Sequence, residues 1–235
     1  MHQFSLELPS LILKNAEHYE CKQYTNDQLL FSFQTKAEFL WLPSDCTTIF
    51  LWHDTVWHYE IMENVTAPVL FHPPATTLYG IRFSRMFYIC KEDVLQEILA
   101  GMSPNSIINF KTFLLYYRRS LSRILIKRQL HPAVSKVLEV VHLYDGCVTM
   151  EEAEQESNYS ERQLCRLFRT QLQCSPKEYF SMVRFLHALH NMYLEPNEGI
   201  SHFIENLNYY DQAHFQKEFK KFTGQTPKQF SKTHF

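Results

Sequence analysis

Two stretches of this 235-residue chain, Tyr159 to Tyr179 and Tyr210 to Phe230, carry one text twice, fifty-one residues apart and without a gap. Identities fall at Tyr159/Tyr210, Phe168/Phe219, Pro176/Pro227 and Lys177/Lys228. Swaps that keep the side chain's role fall at Ser160/Asp211, Leu164/Phe215, Arg166/Lys217, Arg169/Lys220 and Ser175/Thr226. An internal repeat restricts a chain to folds built from copies of one supersecondary unit.

The unit is legible residue by residue. Ser160 and Asp211 are N-cap residues, whose side-chain oxygens satisfy free backbone N–H groups at a helix start. Gln163 follows Ser160 at the capping-box spacing. Leu164, Leu167 and Phe168, or Phe215 and Phe219, form the inward side of each short helix. Arg162, Arg166 and Arg169, or Lys217 and Lys220, lie outward. Each unit closes with Ser-Pro-Lys-Glu or Thr-Pro-Lys-Gln: an N-cap, a proline at the first helical position and a capping-box acceptor. Another short segment precedes each basic helix, Thr149 to Ser157 and Gly199 to Leu207. A short helix, a turn and a basic helix make a helix-turn-helix pattern.

Between the units, Pro176 to Leu194 has apolar residues at helical spacing: Tyr179, Met182, Val183, Leu186, Leu189 and Tyr193. A helix of that length is a rod of roughly 28 Å. Successive major grooves on one face of DNA lie about 34 Å apart, so the rod suits two helices placed in adjacent grooves.

Residues 131–235 resemble the double helix-turn-helix domain of the AraC/XylS family of bacterial transcription regulators. Asn208-Tyr209-Tyr210-Asp211, Phe215, Phe219-Lys220, Gly224, Thr226-Pro227 and Phe230 fill the family's closing signature. The resemblance implies seven helices, sequence-specific binding of double-stranded DNA, and transcription control, with contact to RNA polymerase and self-association as further partners. Carried over position by position, it implies base reading by Arg162, Gln163, Cys165 and Arg166 on the first unit and by Gln212, Ala213, Gln216 and Lys217 on the second. Arg169, Lys220 and Lys221 become phosphate contacts. The chain departs from the family where helices cross closely: Glu154 and Ile204 replace small alanines. Asn158 and Asn208 replace turn glycines, a mild change because asparagine tolerates the left-handed conformation.

Charge complicates this picture. From residue 131 onward there are 11 Lys and Arg against 13 Asp and Glu, whereas DNA-binding domains are usually basic. Glu151, Glu152, Glu154 and Glu156 make the first scaffold segment acidic. Loss of DNA binding, with a remaining role in protein interaction, is the alternative function. Positive charge lies upstream: Ile98 to Leu138 has no acidic residue but holds Lys111, Arg118, Arg119, Arg123, Lys127, Arg128 and Lys136. In the same region Ile107, Phe110, Leu114, Tyr117, Leu121 and Ile124 recur at 3–4 spacing after Ser103-Pro104. That pattern predicts an amphipathic helix over 104–129, either a dimerisation helix or a helix packed on its own chain.

The first hundred residues have another rhythm. Leu29–Phe31, Phe39–Leu42, Thr48–Trp52, Val56–Ile61, Val69–Phe71 and Leu78–Phe83 are short aromatic and β-branched runs separated by turn residues. This predicts an antiparallel barrel or sandwich, and an α+β chain overall. Residues 1–100 form a sensor domain in this reading, 101–130 a linker and 131–235 the DNA-binding domain. Leu42-Pro43-Ser44-Asp45 and Gly80-Ile81-Arg82-Phe83 resemble the short cupin-like sensor domains of some such regulators. Trp41, Trp52 and Trp57 are candidates for an effector pocket or for core filling. His53 and His58, five apart, would point to opposite faces of one continuous strand, so no metal or other cofactor is expected.

The remaining sequence signals exclude several functions. No nucleophile elbow, phosphate-binding glycine loop or zinc-protease motif is present, so no enzyme is expected. Nothing reads as a signal peptide or an apolar membrane span. The six cysteines lack metal-ligand spacing and read as free thiols in a reducing cytoplasm, with Cys165 on the exposed face of the first basic helix.

Overall fold

The computed structural model describes residues 16–25, 27–34, 38–63, 67–72, 77–84, 88–195, 204 and 207–234. Each of the six apolar runs forms a strand: β2 Gln28–Gln34, β3 Phe39–Trp41, β4 Cys46–His53, β5 Trp57–Met62, β6 Val69–Phe71 and β7 Leu78–Ser84. A polar, exposed strand, β1 Glu17–Thr25, pairs along β2 and has no apolar run to announce it. An antiparallel five-stranded sheet runs β1-β2-β7-β4-β5, and β3 and β6 form a second, two-stranded sheet.

Both faces of the sheet's central strands β2, β7 and β4 are buried, which explains runs that are apolar throughout instead of alternating. One face presents Phe31, Phe33 and Phe50 to Phe39, Trp41 and Phe71 of the small sheet, and these six rings fill the space between the sheets. The Phe50 ring centroid lies 5.1 Å from that of Trp41 and 5.0 Å from that of Phe71. Gly80 pairs in register with both Phe31 and Phe50. The Phe31 ring occupies the place of a side chain there: a Cβ on Gly80 would stand 1.9 Å from Phe31 Cζ.

The opposite face presents Leu30, Ile49, Leu51, Ile81 and Phe83 to two helices, α1 Glu92–Ala100 and α2 Phe110–Arg119. Here the structure corrects the helix expected over 104–129. Pro104–Ser106 is only a 3-10 turn. Asn109 then starts a new helix, its side chain accepting from the Thr112 N–H at 2.9 Å while the Thr112 hydroxyl accepts from the Asn109 N–H at 3.0 Å. The helix stops at Ser120. Leu121–Ile124 is a second 3-10 turn, and β9 Leu125–Lys127 pairs with β8 Tyr88–Cys90. The apolar stripe is used inside the chain. Ile107, Phe110, Tyr117, Leu121 and Ile124 are buried against the sheet, and Leu114 packs at their edge. Burial of that order, about 1.5–3 kcal/mol per large side chain, ties the stripe to its own sheet, so these six residues offer no dimerisation face.

Downstream lie α3 Pro132–Leu143, α4 Met150–Ser157, α5 Glu161–Leu172, α6 Pro176–Leu194, α7 Gln212–Thr223 and α8 Pro227–His234. Most of the Gly199–Leu207 segment, expected to be the scaffold helix of the second unit, lies outside the described residues. The helices share one core that includes Val134, Val137, Leu164, Phe168, Tyr179, Phe185, Phe215 and Phe219. The β region docks on it directly: Leu42 is part of that core, and Asp45, 1% exposed, places a carboxylate oxygen 3.8 Å from Nε2 of His142. The same His142 nitrogen is 2.9 Å from the Tyr179 hydroxyl. No described helix is long and apolar enough to cross a membrane.

Candidate nucleic-acid interface

The two basic helices begin as their caps require. At α5 the Gln163 side-chain oxygen accepts from both the N–H and the hydroxyl of Ser160, each at 2.9 Å. At α7 the Asp211 carboxylate accepts from the His214 N–H at 2.7 Å. The closing helices follow suit. Glu178 accepts from the Ser175 N–H and hydroxyl at 2.8 and 2.7 Å, and Gln229 from those of Thr226 at 3.0 and 2.9 Å. Between the units, α6 is a continuous nineteen-residue helix.

Each basic helix buries one side and exposes the other. Leu164, Phe168 and Leu172 of α5 and Phe215, Phe219 and Phe222 of α7 are in the core. Arg162, Gln163, Arg166 and Arg169 are exposed on α5, as are Gln212, Ala213, Lys217, Lys220 and Lys221 on α7. Cys165 and Gln216, at matching places in the repeat, are half-buried on the flanks, so Cys165 is less exposed than the sequence suggested. Arg162, Arg166 and Arg169 stand at four- and three-residue steps, the spacing of one helical stripe. Gln163 has its oxygen engaged by the cap, which leaves only its amide N–H groups for other partners.

The acidic scaffold helix is explained by its contacts. Glu152 caps its own helix start, accepting from the Thr149 N–H at 2.8 Å. Glu154 accepts a hydrogen bond from the backbone N–H of Glu161 and so anchors the first residue of α5. Glu156 pairs with Lys136 of α3 at 3.5 Å. The small residues buried in this helix are Ala153 and Ser157, whose hydroxyl donates to the Ala153 carbonyl at 2.6 Å. A glutamate at 154 is accommodated because it is not buried there; Ile204 is half-buried against the core.

Asn158 and Asn208 both adopt the left-handed conformation, with φ of 57° and 51°. The chain then takes two residues to reach the N-cap at Ser160 but three to reach Asp211. Tyr209, 7% exposed, therefore does the packing, and Tyr210 is pushed outward at 92% exposure. The textual match Tyr159/Tyr210 is not a structural one. Tyr159 packs its ring edge-on to His131, at 5.3 Å between centroids.

Several contacts had no sequence signal. Arg184 of α6 pairs with Glu218 of α7 at 2.9 Å, and the Tyr209 hydroxyl donates to Glu218 at 2.7 Å. Burial and the Glu218 carboxylate push the Tyr209 phenol far above its ordinary range, so it remains a donor. The Arg128 guanidinium, just after β9, donates to the Gln171 carbonyl near the end of α5. These partners lie 34, 9 and 43 residues apart in sequence.

The other candidates separate. Trp41 is buried among the six core rings, Trp52 stacks on His58 at 5.5 Å, and Trp57 packs beside His53 on the other face of the hairpin. They do not line one pocket. His53 and His58 belong to two paired strands, not to a single one, and among the described residues no three His, Cys, Asp or Glu side chains gather as a metal site. All six cysteines are unbridged, and burial pushes the Cys90 thiol up to about 12.

Comparison with known proteins agrees with this geometry. The family described as "Helix-turn-helix domain" matches residues 154–233. The lactose operon transcription activator of Staphylococcus xylosus is 32% identical over 78 residues, 33% of this chain and 28% of that protein. The chain thus spans under a third of the curated relative it matches. The C-terminal domain of AraT, a response regulator from Geobacillus stearothermophilus, superposes with a TM-score of 0.41 at 24% identity, over 45% of this chain and 88% of that one. ToxT from Vibrio cholerae gives a TM-score of 0.49 at 10% identity, over 91% and 100% of the two chains. The paired capped helices and outward cations thus fall on the same residues, 154–233, that match the helix-turn-helix domain family.

Proposed function

We propose that this chain is a sequence-specific DNA-binding transcription regulator whose two helix-turn-helix units read adjacent major-groove segments. One observation carries the reading: two capped helices, joined by a single nineteen-residue helix, expose cations at matching places, Arg166 with Lys217 and Arg169 with Lys220. In this reading Arg162, Gln163, Cys165 and Arg166, with Gln212, Ala213, Gln216 and Lys217, face base edges. Arg169, Lys220 and Lys221 hold phosphates. Replacing one of these three weakens cognate and random DNA alike and lowers the salt slope by about one unit. In this reading Tyr210, exposed beside the N-cap of α7, touches the sugar-phosphate backbone.

Glu152, Glu154 and Glu156 each have a structural partner, which accounts for their presence without the protein-interaction alternative. Control by a small molecule fits an N-terminal domain that reaches the helical core at Leu42 and Asp45, with Arg128 of the following segment holding the end of α5. Promoter binding in the cytoplasm, contact with RNA polymerase and self-association complete the reading.

Footprinting on sites selected from random DNA tests it. Two protected major-groove segments about one helical turn apart are expected. A single protected groove, unchanged by Arg162→Ala plus Arg166→Ala, would remove the first unit from DNA reading.

A further inference from the structure

Among the described residues, the space between the two sheets is packed with six aromatic rings. On the other side, the β4–β5 hairpin faces α1 and the turn after it across a cavity of about 320 Å³. That is at the small end for ligand pockets, about 300–1,000 Å³. Its walls are held in place by their own contacts. The Trp57 indole N–H donates to the Ser103 carbonyl at 3.1 Å. The Tyr59 hydroxyl donates to Glu92 and accepts from Gln96, both at 2.7 Å. Leu99, Met102 and Pro104 add apolar surface, and His53 and Gln96 supply polarity.

The lining contains no Lys, Arg, Asp or Glu. A charged ligand meets no Lys, Arg, Asp or Glu side chain there to pair with. An uncharged ring system loses little hydration and gains contact with the Trp57 indole. We propose that this cavity is a binding site for a small, uncharged, ring-containing molecule.

The site's connection to the helices rests on the regulator reading above. The Lys91 N–H, at the start of α1, donates to the Ile124 carbonyl at 2.7 Å. Ile124 leads directly into β9 and then to Arg128, whose guanidinium holds the end of α5. A ligand that shifts α1 therefore acts on a segment that reaches the first recognition helix.

Binding is tested without DNA, so the outcome does not depend on that reading. The full chain labelled with 5-fluorotryptophan has three fluorine resonances, one for each tryptophan, and Trp57→Phe assigns the one at the cavity. Indole is the probe. Its titration should shift the Trp57 resonance saturably and leave that of Trp41 in place. Ala100→Phe, at an exposed rim position, should weaken indole at least tenfold, and Thr55→Phe on the opposite rim should do the same if the first variant folds poorly. Indole-3-carboxylate should bind at least tenfold more weakly than indole. A shift that does not saturate, an equal shift of all three resonances, or unchanged affinity in a folded rim variant overturns the site. Carboxylate binding as tight as indole overturns the uncharged class.

Discussion

Arg184 grips Glu218 through two hydrogen bonds, from Nη2 at 2.9 Å and from Nε at 3.3 Å. Its guanidinium also lies 4.7 Å from the centroid of the Tyr209 ring. Both charged side chains are largely buried, at 16% and 8% exposure. The pair joins α6 to α7. Removing one partner leaves a buried charge unpaired, at about 3–5 kcal/mol. Arg184→Met or Glu218→Gln should each lower unfolding free energy by that order, and the double variant should lose less than the two combined. Additive losses in urea unfolding would show that the two side chains do not act as a pair.

Gly80 is required by Phe31. Gly80→Ala would drive a methyl group into that ring, and overpacking of this kind costs about 1–3 kcal/mol. Phe31→Leu in the same chain should recover part of the loss. Thermal unfolding of the three variants reads this directly; no recovery would place the strain in the backbone instead.

The cap at α6 should be acid-sensitive. Hydrogen bonds from the Ser175 N–H, then from its hydroxyl, hold the Glu178 carboxyl below its usual range. A depressed folded-state pKa stabilises above the unfolded value of about 4.3 and is lost as pH falls through the folded one. Gln229 fills the same place at α8 and does not titrate. The stability gap between the wild-type chain and Glu178→Gln should therefore be largest near neutral pH and close as pH falls below the carboxylate range. A gap that stays constant from pH 7 to 3 would assign it to packing.

Arg166→Ala should cost about 1–3 kcal/mol on the cognate site and relax preference at one or two base pairs. Binding measured on cognate and random duplexes separates the roles. Equal losses on both would make Arg166 a phosphate contact.

Two neighbouring glutamates should behave differently. Glu151 is exposed and takes no part in the Thr149 cap, so Glu151→Lys should tighten cognate and random DNA alike. Glu152→Lys destroys the Thr149 capping box and should cost stability of about 1 kcal/mol. Tighter binding from both substitutions without loss of stability would mean that the cap contributes little.

The sequence alone determined whatever rests on contacts within a few residues. Ser160, Ser175, Asp211 and Thr226 cap the helices they announce, since each bond closes over three positions. Asn158 and Asn208 turn left-handed where glycine is usual. The six aromatic and β-branched runs became strands because their pattern marks buried sheet surface whatever covers it.

Tertiary structure decided which surface covered which. The stripe from Ile107 to Ile124 fits a partner helix or a sheet equally well, since burial is non-directional. The sheet's second face claimed it. One added residue in the second turn moved the packing role to Tyr209 and left Tyr210 outside, which an ungapped match conceals. Trp57 parted from Trp41 and Trp52 because it pairs with His53, one position past Trp52, and neighbouring positions along a strand point to opposite faces. Arg184 and Glu218 meet only because α7 packs on α6, and no local pattern records a bond between residues 34 apart.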